Sequence, residues 1–286
     1  KIMKSLQTIC LLLGLSLSSL TGLAQTKPTE TYGQGEKSFK LATGSPGELG
    51  LLKILAESFS KEAGAKMEWF KAGSGASLKM LKNKEVDMIM VHAPAEEKAA
   101  VAQGWATNQT LLSSNEFYIV GPKEDPADIK NATSGANAHQ RIATKQAKYV
   151  SRGDNSGTHQ KELQIWGKAG IKPEGSWYLG TNDFMTASLK KANVERAYFM
   201  TDSSTWVAEK NNTPQLQILY RGDKFLVNTY HALSTPPGTS LGSEIAKQFI
   251  AFVASEKGQT IIRNFGKELY GDSLYNDAKY ALQYVD

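Results

Sequence analysis

Short apolar runs alternate with amphipathic stretches along most of this chain, and the two periods separate clearly. Residues 38–43 (SFKLAT) read as a strand, after which Leu51, Leu52, Leu55 and Phe59 recur at helical spacing. A second strand (66–70, KMEWF), a short helix (77–83) and an apolar strand (86–94, VDMIMVHAP) follow. The last shows no polar alternation, as expected of a strand covered on both faces. This β-α-β-α-β succession predicts a parallel sheet with right-handed crossovers. Residues 116–122 (EFYIVGP) form a strand ending in a Gly-Pro break, and the pattern then restarts. It gives helices over about 133–146, 157–169 and 184–194, interleaved with strands AKYVSR, WYLG and AYFMT. Strands over 216–223 and 225–234 lead past TPPG into helices near 241–255 and 257–265.

The simplest architecture is α/β and two-lobed, each lobe a mostly parallel sheet flanked by helices, with a ligand cleft between them. Lobe 1 is discontinuous, taking 36–121 and 225–286, and lobe 2 takes 122–224. Strands near 116–122 and 225–232 are expected to cross between the lobes. Ligands of open α/β sheets collect at the carboxyl ends of strands. The loops that matter are then ATGSPGELG, KAGSGAS, HAPAEE, SRGDNSGTH, GTNDFMT and TDSSTW. They are rich in hydroxyls and glycines and hold one arginine, Arg152.

The first residues set the compartment. Lysines at 1 and 4, an apolar run from Ile9 to about Leu20 and small residues Gly22 and Ala24 have the layout of a secretory signal peptide spanning 1–24. The apolar run is shorter than the ~20 residues of a membrane span. The protein is therefore expected in the periplasm, beginning near Gln25 with a polar arm (25–37), and as a monomer. Cys10, the single cysteine, lies inside this segment, too early for a lipoprotein cleavage site, so the exported chain has no thiol and no disulfide framework. Removing Lys1 and Lys4 takes two of five net positive charges and leaves +3, which suits an anionic ligand and excludes little.

Several chemistries find no support. The four histidines, at 92, 139, 159 and 231, show no metal-ligand spacing. Ser156 lies three residues after Gly153 and makes no nucleophile elbow, and SFSK (58–61) has no accompanying K-T-G. No nucleotide-cradling glycine motif occurs, and no basic run interleaved with aromatics, so neither a cofactor nor nucleic acid is called for.

An anion seat fits better. A helix beginning near Ser156 turns its unpaired N–H groups toward the loop, Gly157 lets a ligand approach, and Arg152 adds a charged planar fork. Read alone, this loop is better taken as an ordinary helix start in which Asn155 or Ser156 caps and Arg152 pairs with Asp154. A matching loop, KAGSGAS (71–77), stands at the equivalent turn of the other lobe and favours the seat.

These stretches, together with GSGASLKMLKNKEVDMIMVHAPAEEK, EFYIVGPKEDPADIK and WYLGTND followed by YFMTDSSTWVAEK, resemble the tungstate-binding proteins of ABC uptake systems, the TupA-like branch of type II periplasmic binding proteins. The similarity runs from about Phe39 to Leu233. It implies a clamp that captures tungstate or a related oxyanion such as molybdate and delivers it to a membrane permease, with no cofactor and no bond-making. It also implies a ligand set: Arg152 as the cationic contact, Ser156, Gly157 and Thr158 at a helix start, and Ser74 and Gly75 facing them. Thr43 and Ser45 complete it from the first loop.

Two loops depart from that family. The hydroxyl-rich turn after the first strand becomes ATGSPGE, bringing Pro46 and Glu48, and the glycine-rich turn after the W-Y strand becomes TNDFMT, bringing Asp183 and Phe184. SPGE itself reads as a capping box, Ser45 at N-cap and Glu48 at N3. The changes leave open a diverged clamp for another anionic or zwitterionic molecule, or an enzyme or sensor on the same scaffold.

Overall fold

The computed structural model describes residues 27–285, so the export segment read over 1–24 lies outside the described residues. The chain runs β1 (Glu30–Tyr32), β2 (Lys37–Thr43), α1 (Ser45–Glu48), α2 (Leu51–Ala63), β3 (Ala65–Lys71), α3 (Ser74–Lys82), β4 (Met88–Val91), α4 (Pro94–Ala102) and the long strand β5 (Thr107–Pro122). The middle of the chain gives α5 (Gly135–Lys145), β6 (Tyr149–Ser151), α6 (Gly157–Lys168), β7 (Tyr178–Gly180), α7 (Met185–Glu195), β8 (Tyr198–Asp202), α8 (Ser203–Glu209) and β9 (Leu216–Tyr220). The chain then returns through β10 (Val227–Ser234), α9 (Leu241–Ala254), α10 (Glu256–Asn264), α11 (Lys267–Tyr270), β11 (Asn276–Asp277) and α12 (Ala278–Ala281).

Strand order is β1-β3-β2-β4-β10-β5-β8-β6-β7, with β9 and β11 also on β5. β2 lies parallel to both β3 and β4, and β6 parallel to both β7 and β8, which are the crossover units that the sequence pattern predicts. β10 is antiparallel to β4 on one side and to β5 on the other. β5 belongs to both lobes: Thr107 to Glu116 pair with β10, and Phe117 to Pro122 pair with β8 and β9. Its first nine residues, 107–115, carry mixed polarity and lie outside the strand expected over 116–122. The second crossing is also corrected. β10 stays within the first sheet, and residues 221–226, between β9 and β10, make the passage.

Each sheet has its own core. Leu51, Leu52, Leu55 and Phe59 of α2 form the buried stripe expected, packed with Phe39, Phe249 and Phe252. Gly64, with φ of 59°, ends that helix in the left-handed conformation that glycine adopts without a Cβ penalty, its N–H on Ser60 O. In the second lobe Trp166 and Glu162 of α6 point under β6 into an aromatic group of His139, Tyr149, Trp177 and Tyr178. HAPAEE, taken from the sequence as loop, opens α4 with Pro94 in its first turn, where the missing N–H costs nothing.

Glu162 is the one carboxylate inside this aromatic group. It accepts from Tyr178 Oη (2.6 Å), Trp166 Nε1 (3.0 Å) and Ser151 Oγ (2.8 Å), yet burial outweighs these donors and pushes its carboxyl up to about 7. Between the unfolded value of 4.5 and 7 the folded state holds the extra proton. The associated stability is thus fully present below pH 4.5 and is lost as pH rises through 7, on the order of 3 kcal/mol in all. Glu162→Gln is expected to remove this loss: urea unfolding from pH 4.5 to 8 should show the variant gaining about that amount on the parent. Parallel curves would contradict the assignment.

Candidate functional site

The helices α3 and α6 begin against one another, one from each lobe. Gly73 is the N-cap of α3 in extended conformation and Ser156 the N-cap of α6, its Oγ accepting from His159 N at 3.2 Å. A Cβ on Gly73 would stand 3.1 Å from Ser156 Cβ and 3.9 Å from Arg152 Nη2, so the arginine of lobe 2 reaches the start of the lobe 1 helix. A Cβ on Gly75 would meet Asn155 at 2.7 Å, and one on Gly157 would fall 2.6–2.8 Å from ring atoms of His92. At Gly75 a Cβ would meet the Asn155 backbone oxygen and at Gly157 the His92 ring, so glycine is what lets the two lobes approach there. Each helix turns first-turn N–H groups, which have no intrahelical acceptor, toward the same gap.

Arg152 is 3% exposed. Its Nε donates to Asp183 O at 3.1 Å and its Nη2 to Asp154 Oδ2 at 2.5 Å. That engages the edge of the guanidinium bearing Nε and one Nη2 hydrogen, while Nη1 donates to none of the described residues. Asp154 Oδ1 also accepts from Ser156 N at 3.1 Å, so the helix-start reading and the arginine pair both hold in the same loop. His159 does not face Ser156 as a base would. Its Nδ1 lone pair receives Asn155 N–H at 3.0 Å, bracing a residue with φ of 56°.

The hydroxyls divide by what they have left to give. Thr158 Oγ1 is buried and has no partner among the described residues. Ser74 Oγ accepts from His92 N at 3.2 Å and Ser156 Oγ from His159 N, so both retain their protons for a ligand. Thr43, fully buried, donates its proton to Met90 O at 2.8 Å and retains only acceptor capacity. Ser45 is not an N-cap: Gly44 holds that position without a side-chain bond, and Ser45 is the first residue of a four-residue helix. The capping box therefore does not form, because Glu48 lies one residue too far along. Its Oε1 pairs with Lys71 Nζ at 3.4 Å and its Oε2 is buried without a partner.

A layer of amides and rings lies behind these groups. His92 Nδ1 meets Asn228 Oδ1 at 2.7 Å, Asn228 Nδ2 donates to Asn115 Oδ1 at 2.8 Å, and Asn115 Nδ2 donates to Ser204 Oγ at 2.7 Å and Asp202 Oδ1 at 3.3 Å. Both Asn228 oxygen and Asn115 oxygen act as acceptors, so His92 carries its proton on Nδ1. Burial, with the Arg152 charge second, pushes the His92 imidazole down to about 3, so it stays neutral. Burial also raises the Asp202 carboxyl above its usual range. Sequence reasoning passed over His92, Asn115, Asn228 and Asp202. The one available signal was that His92 and Asp202 end strands at the carboxyl edge.

Among the described residues no group of three or more His, Cys, Asp or Glu side chains is placed to hold a metal ion, and no helix is long and apolar enough to cross a membrane. Residues 24–257 match the PBP superfamily domain. The chain is 33% identical over 276 residues to the tungstate-binding protein TupA of Peptoclostridium acidaminophilum, covering 95% of this chain and 96% of that one. Among solved structures, the tungstate ABC transporter protein from Geobacter sulfurreducens is 36% identical with a TM-score of 0.72, over 81% of this chain and all of that chain. TupA from Desulfovibrio alaskensis G20 is 37% identical with a TM-score of 0.69, over 84% and 98%. With a superfamily match over most of its length and a relative matched nearly end to end, this chain belongs to the PBP superfamily, in its TupA-like branch of two-lobed type II periplasmic binding proteins.

Proposed function

We propose that this protein is the exported, ligand-capturing component of an ABC uptake system and that it takes up tungstate or the related molybdate as an intact oxyanion. What supports this is that two helix starts meet, one from each lobe, beside a buried arginine whose Nη1 donates to none of the described residues, with the buried Thr158 hydroxyl unpartnered in the first turn of α6. A desolvated dianion needs several donors at once, each charge-assisted bond contributing roughly 1.5–3 kcal/mol. Ser74, Gly75, Arg152, Ser156, Gly157 and Thr158 supply them, and Thr43 supports the strand end beneath. The names of the relatives above support tungstate in particular.

The reading includes no catalysis: Ser156 has no general base, since His159 offers it no lone pair. It places the protein in the periplasm as a monomer that docks on a permease. It divides the chain into lobe 1 (36–121 plus 225–286) and lobe 2 (122–224), a division supported by the split pairing of β5.

A clamp that binds only when folded melts higher with its ligand, by ~2.7 kcal/mol at a hundredfold excess over Kd. For a chain of this size that is a rise of roughly 5–10 °C. Tungstate and molybdate should each give it in a thermal-shift panel that also contains sulfate, phosphate and small organic acids. A rise with an organic acid and none with either metal oxyanion would overturn the assignment.

A further inference from the structure

The loop that carries Glu48 and the loop that carries Phe184 meet through a third residue. Lys71, the last residue of β3, pairs with Glu48 Oε1 at 3.4 Å, and its Nζ lies 4.1 Å from the centroid of the Phe184 ring. Phe184 belongs to the other lobe, at the residue before α7. The same ring has Arg152 Cζ 5.6 Å from its centroid. One lobe 2 aromatic thus has two cations over it, one from each lobe. Its backbone is fixed to the anion seat, since Asp183 Oδ1 accepts from Phe184 N at 2.7 Å while Asp183 O accepts from Arg152 Nε.

We infer that Lys71, held by Glu48 and stacked on Phe184, is the latch that keeps the lobes closed over the ligand. Two cations share one ring here because each has its own carboxylate, Glu48 on Lys71 and Asp154 on Arg152. The latch touches the protein and not the ligand, so it sets how long the cleft stays shut and leaves unchanged which oxyanion is preferred. A contact present only in the closed state slows release without altering encounter. Favouring the closed state also raises affinity by raising the fraction of binding-competent molecules.

The ligand readout rests on the binding-protein proposal, and the scattering readout does not. Phe184→Leu keeps apolar bulk and removes the ring face, and it should speed tungstate release in stopped-flow roughly three- to thirtyfold. Association should stay within about twofold, and relative affinities for tungstate, molybdate and sulfate should not move. Phe184→Tyr should restore parental release. Lys71→Met combined with Glu48→Gln removes both charges together, and adding Phe184→Leu to that pair should have no further effect. Without ligand, small-angle scattering should give Phe184→Leu a larger radius of gyration than the parent. Unchanged release, additive effects or altered relative affinities would overturn the latch, the last by placing Lys71 on the ligand. A parent that binds no tungstate would instead sink the functional proposal, and equal radii in parent and Phe184→Leu would then sink the latch as well.

Discussion

Arg152→Lys is expected to weaken tungstate binding roughly a hundredfold or more, the sum of two lost charge-assisted bonds. An ammonium keeps the charge but presents a point and not a fork. Its three N–H groups also radiate from one point, so it cannot span Asp183 O, Asp154 Oδ2 and a ligand oxygen with the spacing that the planar guanidinium gives. Asp154 would then stand beside the incoming dianion with its own charge less well neutralised. Because Arg152 is 3% exposed and braces two loops, the substitution should also lower the stability of the ligand-free protein, by about 1–3 kcal/mol. From the sequence alone Arg152 could be taken as a site residue with little structural duty, and its burial corrects that. Calorimetric titration with parallel urea unfolding checks both parts. Parental affinity in a destabilised variant would mean that Arg152 is a brace for Asp154 and the 183–184 turn, outside the ligand shell.

Gly157→Ala should separate closure from folding. Its Cβ would fall 2.6 Å from His92 Cε1, 2.7 Å from Nδ1 and 2.8 Å from Nε2, distances that no real Cβ contact sustains. The imidazole has little room to yield, since Asn228 holds its Nδ1 and the Tyr230 ring lies 4.9 Å away. Glycine and histidine come from different lobes, so the clash exists only when the cleft is shut. With the lobes apart, alanine is the better helix former by roughly 0.5–1 kcal/mol. The ligand-free melting temperature should therefore hold or rise while tungstate affinity falls about ten- to hundredfold, the usual cost of overpacking. Undiminished affinity would show that His92 moves aside and that this contact does not limit closure.

The parts of the fold legible in the sequence are those where one residue's neighbours decide its fate. The α2 stripe, the buried run of β4 and the Ser156 start of α6 all follow from local period and capping chemistry. The first nine residues of β5 did not, because Thr107, Thr110, Ser113 and Ser114 take their strand character from pairing with β10, more than a hundred residues away in the chain. The site divides the same way. Arg152, Ser156, Gly157, Ser74 and Gly75 sit in turns with a local signature, at the starts of two helices that the structure sets against one another. Lys71, His92, Asn115 and Asn228 carry no such mark. Their placement depends on which strands become neighbours, as when Asn228 of β10 falls opposite Asn115 of β5. The SPGE turn misled for a related reason: the N-cap falls on Gly44, so the helix starts one residue earlier than the capping box needs and Glu48 is left to meet Lys71.

The position of β10 between β4 and β5 also fixes an order of assembly. During synthesis a chain emerges amino end first. The strands of the second lobe's sheet all lie within residues 117–220, so that sheet can zip up as soon as this stretch is out. The first lobe must wait, since its central strand begins at Val227 and its covering helix α9 at Leu241. Until they arrive, β4 and the first half of β5 present bare edges with nothing between them, which is the circumstance in which strands pair with the wrong partner. Closing that gap joins residues far apart in sequence and is intrinsically slow. The interval between emergence of β5 and emergence of β10 is therefore when this protein most needs shielding from its neighbours.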